Sequence, residues 1–111
     1  MDIKSSFEKG LLIVRPNGDI DMHSSPELRK ELRNYFRNET DAILIDLSGV
    51  KYMDSSGIAV FVECLQWEKA SKKKFIIFSM ADNIKGVFEM ARLDTLFTIV
   101  KSEVVALEKI K

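Results

Sequence analysis

Asp46–Leu65 reads DLSGVKYMDSSGIAVFVECL, and its two halves follow different periods. A β-branched apolar run, Ala42–Leu47 (AILIDL), leads into it and reads as a buried strand. Ile58, Phe61, Val62 and Leu65 then recur at i, i+3, i+4 and i+7, one face of a helix. Between them lies a polar turn ending in Asp54-Ser55-Ser56-Gly57. The stretch is a strand, a loop and the N-terminus of a helix. In an α/β fold, ligands and partners meet the chain at the carboxyl ends of strands, so function is expected to concentrate in this turn. Ala59, Val60 and Cys64 widen the apolar stripe, and this helix is expected to be the most buried.

The segments on either side extend the pattern. Ile3–Glu8 and Leu11–Pro16 have strand character, with Lys9-Gly10 as the turn of an antiparallel hairpin. Asn17-Gly18-Asp19 ends the second strand, and Ile20-Asp21-Met22 leads to a helix start. Two caps fit that start: Ser25 before Pro26 as an N-cap with proline in the first turn, or Ser24 with Glu27 as a capping box. Leu28, Leu32, Tyr35 and Phe36 share a face of this helix, which fades near Asn38. The helix opened by Ser55-Ser56 ends in Lys69, Lys72, Lys73 and Lys74, positive charge where the helix dipole is negative. Phe75–Phe78 is a fourth strand. Ile84, Val87, Phe88 and Ala91 mark a shorter helix from Asp82, Leu96–Val100 a last strand, and Ser102 the cap of a terminal helix that half-buries Val105, Leu107 and Ile110. The order β-β-α-β-α-β-α-β-α predicts an α/β fold: a mostly parallel, mixed sheet of about five strands, about four helices and an N-terminal β-hairpin.

Composition narrows the function. At 111 residues the chain is expected to be one domain, residues 1–111, with one core. Lys plus Arg and Asp plus Glu number 17 each, so no global field steers the chain to nucleic acid or to anionic lipid. No apolar run approaches bilayer length, and MDIKSSFEKG does not read as a secretory signal. Cys64 is the single cysteine, which excludes an internal disulfide and points to a reduced, cytoplasmic setting. With His23 the single histidine, a metal site built from the chain's own ligands is not expected. Neither Gly-x-Ser-x-Gly nor a phosphate-binding Gly-x-x-x-x-Gly-Lys loop occurs, which argues against a serine hydrolase or an ATP-using enzyme and implies no cofactor.

Three segments carry a family resemblance. Gly18-Asp19-Ile20-Asp21, the run from Asp46-Leu47-Ser48-Gly49-Val50 to Asp54-Ser55-Ser56-Gly57-Ile58, and Val87–Asp94 with Phe97 resemble the anti-sigma factor antagonists of the STAS-domain family. The likeness runs from about Phe7 to the C-terminus. Asp-Ser-Ser-Gly arises by chance in roughly one in several hundred chains of this length, and its place between strand and helix sharpens the match. One departure is Ser71-Lys72-Lys73-Lys74, where relatives often place glycines.

The resemblance implies a phosphorylation-switched protein-binding module. Ser55 takes the position of the phosphorylated serine, with Ser56 as the alternative, and Asp19, Asp21, Asp54, Ser56 and Gly57 take positions at the partner surface. The implied partners are an anti-sigma factor that is also a serine kinase, and a serine phosphatase; nucleic acid and membrane are not among them. An alternative within the family is a STAS subunit of a lipid-transport ATPase or of a stressosome-like assembly. Other readings of these residues stay open. Asp54-Ser55-Ser56 also fits an ordinary helix cap, Asp19 and Asp21 a solvated turn, and Gly57 either a site of close approach or a small first-turn residue. His23 is expected to be an exposed residue before the helix and Cys64 a core residue. Trp67 is expected to pack against the sheet, with a partner contact on the surface as the alternative, and the lysine run to be a solvated helix end, with a functional patch as the alternative.

Overall fold

The computed structural model describes residues 1–111. Nine elements follow in the expected order: β1 (Asp2–Glu8), β2 (Leu11–Asn17), α1 (Ser25–Arg37), β3 (Ala42–Asp46), α2 (Ser55–Ser71), β4 (Lys74–Phe78), α3 (Asp82–Met90), β5 (Thr98–Val100) and α4 (Glu103–Ile110). β1 runs antiparallel to β2, with Glu8 opposite Leu11. Lys9 and Gly10 both take positive φ, 53° and 82°, the two-residue turn whose twist matches that of the strands it joins. From β2 onward the pairing is parallel, and the spatial order β1-β2-β3-β4-β5 follows the chain.

That order places the helices. Three successive right-handed crossovers advancing in one direction put α1, α2 and α3 on one face of the sheet. Leu28, Leu32 and Phe36 of α1, Val60, Phe61 and Cys64 of α2, and Ile84 and Phe88 of α3 bury there against Leu12, Val14, Ile43, Ile45, Phe75 and Ile77. α4 covers the other face, where Ala106 meets Ala42, Leu44, Ile76 and Phe78. β3 and β4 are therefore buried on both sides, which is why their sequences are continuous apolar runs rather than alternating ones. Arg15 ties the second layer down, with ion pairs to Asp46 (2.8 Å) at the end of β3 and to Glu103 (2.9 Å) in α4.

Several local expectations are corrected. α2 buries the Ile58/Phe61/Val62/Leu65 stripe only in part. Gly57, Val60, Phe61 and Cys64 face the core, Ile58 and Leu65 are half-buried, and Val62 is exposed. Nor is α2 the most buried helix: it buries four of 17 residues, against four of 13 in α1. The last strand begins at Thr98 rather than Leu96, because Leu96 closes a turn back to the Leu93 carbonyl (3.0 Å). In α4 the buried residue is Ala106, and Val105 points outward. Trp67 is half-buried against the core on the α1–α3 face of the sheet, with its ring 5.8 Å from that of Phe36 on α1. Cys64 is a core residue, and burial pushes its thiol well above the ordinary range.

The lysine run is not simply a solvated end. Lys72 terminates α2 in the left-handed region, φ 61°, donating its N–H to the Glu68 carbonyl (2.9 Å). Lys73 reaches the Asn38 carbonyl and Thr40 through its ammonium group, and Lys74 begins β4. A lysine at Lys72 therefore adopts the conformation glycine adopts more readily. Lys72→Gly is expected to stabilise the fold by about 0.5–1 kcal/mol, read as a higher urea midpoint at unchanged slope. A lower midpoint would mean that the lysine stem contributes packing that outweighs its backbone strain.

Candidate partner-binding site

Two loops meet at the carboxyl ends of β2 and β3. The Ile20 N–H donates to the Tyr52 carbonyl (2.9 Å), and the Asp54 N–H donates to the Ile20 carbonyl (3.2 Å), a short parallel bridge between Ile20 and Met53. Just upstream, the Gly18 N–H donates to the Gly49 carbonyl (3.0 Å). Segments more than thirty residues apart are thus laced together. The loop bearing Asp19 and Asp21 lies along the one that delivers Asp54 and Ser55.

Each loop is held by its own side chains. The Asp21 carboxylate accepts from the backbone N–H groups of His23 (2.9 Å) and Ser24 (3.1 Å). These bonds, from Ser24 first and His23 second, hold its carboxyl below the ordinary value, so Asp21 stays charged. The Ser24 hydroxyl donates to the Asp19 carbonyl (2.7 Å) and accepts from the Asp21 N–H (3.0 Å). This corrects both expected caps of α1. The helix starts at Ser25 with Ser24 at the cap position, yet that hydroxyl turns back into the loop, and Ser25 itself is buried. The serine fastens the loop rather than the helix. His23 is exposed, as expected.

At the start of α2 the division of labour is clear. Asp54 caps the helix: its carboxylate accepts from the Ser56 N–H (2.9 Å) and from the Ser56 hydroxyl (2.5 Å). The hydroxyl of Ser56 is engaged by Asp54, a side chain, rather than by the backbone. Ser55 is exposed, while Asp54 and Ser56 are half-buried, and the Ser55 hydroxyl takes no part in the bonds that hold the turn. It stands at the N-terminus of α2, where the helix dipole is positive, an environment that favours an anion.

Gly57 is buried beneath this surface and is not available to a partner. A Cβ at Gly57 would lie 2.6 Å from Met53 Cγ and 2.7 Å from Ile20 Cγ2. The close approach that glycine allows is that of α2 onto the bridge between the two loops. Gly57→Ala sets two effects against each other. Helix propensity favours alanine by up to about 1 kcal/mol, while overpacking a filled site costs roughly 1–3 kcal/mol. Ile20 is fully buried and its Cγ2 is a short branch that cannot swing aside, so overpacking wins. A net loss of roughly 1–2 kcal/mol is expected in denaturant unfolding; an unchanged midpoint would show that the bridge yields freely.

Sequence reasoning missed the apolar part of the surface. Met22 and Tyr52, one in each loop, are 71% and 50% exposed. Ala59 and Val62 follow Ser55 at i+4 and i+7, and all three are exposed, so an apolar strip runs from the serine along α2. The signal was present in the helix itself. A segment apolar nearly all round has more hydrophobic surface than one core can cover, and the surplus faces outward here.

Comparisons with known proteins agree with this geometry. The STAS domain family profile matches residues 2–106. The anti-sigma-B factor antagonist of Staphylococcus aureus is 28% identical over 99 residues, 89% of this chain and 92% of that protein. Among solved structures, an anti-sigma factor antagonist from Mycobacterium paratuberculosis superimposes with a TM-score of 0.86 at 22% identity, covering 97% of this chain and 92% of that one. SpoIIAA, an anti-sigma factor antagonist, has a TM-score of 0.81 at 18% identity in its unphosphorylated form, covering 98% of this chain and 96% of that one. Its phosphorylated form, from Bacillus, gives 0.75 at 16%, covering 99% and 100%. At such identities the structural likeness speaks for the fold. With the profile spanning nearly every residue and the fold in agreement, the chain belongs to the STAS domain family.

Proposed function

We propose that this protein is a cytoplasmic anti-sigma factor antagonist whose binding is switched by phosphorylation of Ser55. Unmodified, it binds an anti-sigma factor through the two laced loops and the outer face of α2, and so frees a sigma factor. The anti-sigma factor is itself the serine kinase. It transfers the γ-phosphoryl group of ATP to the Ser55 oxygen, releasing ADP and the hydroxyl proton. A serine phosphatase restores the free hydroxyl by hydrolysis, releasing inorganic phosphate. The chain itself acts as a binding module and substrate, not as an enzyme.

The observation that carries this reading is the unequal state of two adjacent serines. Ser56 gives its hydroxyl to Asp54, whereas Ser55 is exposed at the helix mouth and free for a transferase. Open water and the positive end of the α2 dipole accommodate an added phosphate in the free protein, whereas a covering partner would strip the water and leave the phosphate beside the Asp54 carboxylate. The test is a pulldown from the native host with and without ATP, followed by intact-mass measurement and peptide mapping. A co-purified kinase that modifies Ser55 supports the proposal. Phosphate on another residue, or recovery of transporter subunits in place of a kinase, overturns it.

A further inference from the structure

A second surface lies at the far end of α2. Trp67 is twelve residues beyond Ser55, roughly 18 Å along the helix axis. Here α1 and α2 run side by side, and the seam between them carries a ladder of arginines from α1: Arg29, Arg33 and Arg37, each one turn after the last. The first rung has a carboxylate partner within the chain, since Arg29 Nε lies 3.2 Å from Glu63 of α2, an ion pair without hydrogen-bond alignment. One turn further, α2 presents Trp67 instead of an acid, and then Ala70 and Ser71. Arg33 and Arg37 are exposed and form no ion pair within the chain. Together with Phe36 these residues line a groove of about 240 Å³.

The geometry points to a docking site for an acidic segment of a partner protein, anchored by one apolar side chain in the groove. Charge decides the sign of the partner: the ladder is paired at its first rung by a carboxylate, and the next two guanidiniums face a wall with none. Guanidinium geometry matches carboxylates in two-point hydrogen bonds and also stacks on aromatic faces. Volume decides the size of what enters. Pockets that enclose a drug-sized ligand span about 300–1,000 Å³, and this groove is smaller, with room for one anchoring side chain over the indole and the ring of Phe36. The site lies outside the Ser55 surface, so a bound segment leaves the switch uncovered.

Trp67 is the only tryptophan and reports on the groove directly. The probe is a blocked pentapeptide of glutamates with a central leucine; the controls are the same peptide with lysines in place of the glutamates, and a glutamate peptide lacking the leucine. The acidic leucine peptide is expected to shift Trp67 emission saturably. Affinity is expected to fall at least tenfold in the double variants Arg33→Gln/Arg37→Gln and Arg33→Glu/Arg37→Glu, whose exposed positions leave the far-ultraviolet circular dichroism unchanged. Ser55→Glu is expected to bind the peptide as the wild type does. No saturable shift, an equal response to the lysine peptide, or an equal response without leucine overturns the proposal. Loss of binding in Ser55→Glu also overturns it, because the two surfaces would then be one. The phosphorylation switch is read from a different residue and a different partner, so either proposal can fail alone.

Discussion

Ser55→Glu is expected to weaken binding to the anti-sigma factor by tens to thousands of fold, while Ser55→Ala binds as the wild type does and can no longer be switched. The reasoning is electrostatic. A phosphoserine adds about −1.5 to −2 charge at neutral pH, and glutamate places part of that charge in the same position. In the free protein the charge meets the N-terminus of α2 and open water, both of which accept it. Under a partner the water is gone, and Asp54 and the Asp19–Asp21 loop supply like charge on the same side. An unpaired charge in such an interface costs roughly 2–5 kcal/mol, and each 1.4 kcal/mol is about a factor of ten in affinity. Isothermal titration of the purified pair reads the difference. Equal affinity for Ser55→Glu and wild type would remove Ser55 from the interface. Because Ser55 is exposed and outside the hydrogen bonds of the turn, neither substitution is expected to move the unfolding midpoint appreciably, which separates lost binding from lost folding.

The second large effect is on stability. Phe61→Ala is expected to cost about 3–5 kcal/mol, a large share of the roughly 5–15 kcal/mol that holds a domain of this size. Phe61 is fully buried and its ring meets three others, at centroid distances of 5.4 Å to Phe88, 6.2 Å to Phe97 and 6.4 Å to Phe75. One side chain thus joins α2, α3, β4 and the approach to β5, and truncation leaves a cavity that four separate elements would have to move to fill. Phe7 offers the contrast. It is 58% exposed on the edge strand β1, and Phe7→Ala is expected to stay within about 0.5 kcal/mol of wild type. Equilibrium urea unfolding of both variants checks the pair. A cost below about 1.5 kcal/mol for Phe61→Ala would mean that the aromatic cluster does not form as described.

The two phenylalanines also mark how far the sequence could be read. Element order, the parallel sheet and the Lys9-Gly10 hairpin were legible because they rest on local periods and turn chemistry. β3 and β4 are continuous apolar runs, each followed by a helical period, and that pattern admits few other folds. The position of Asp54-Ser55-Ser56-Gly57 between strand and helix was legible for the same reason. The inward face of α2 was not. Ile58–Val62 is apolar at every position, so the period names a helix without naming its core side, and any of several stripes would have served.

Only the tertiary structure decided that face, through one close approach. Gly57 lets α2 settle onto the bridge between Ile20 and Met53, which turns Val60 and Cys64 inward and leaves Ala59 and Val62 outside beside Ser55. The same long-range bridge lays the Asp19–Asp21 loop along Met53 and Asp54, just before the serine, and the Ser24 hydroxyl fastens that loop instead of serving the cap its sequence suggested. The sequence by itself determined which elements form and where the chemistry stands along the chain. Tertiary packing determined which side of each element faces water, because that choice depends on contacts between segments too far apart for any local period to register.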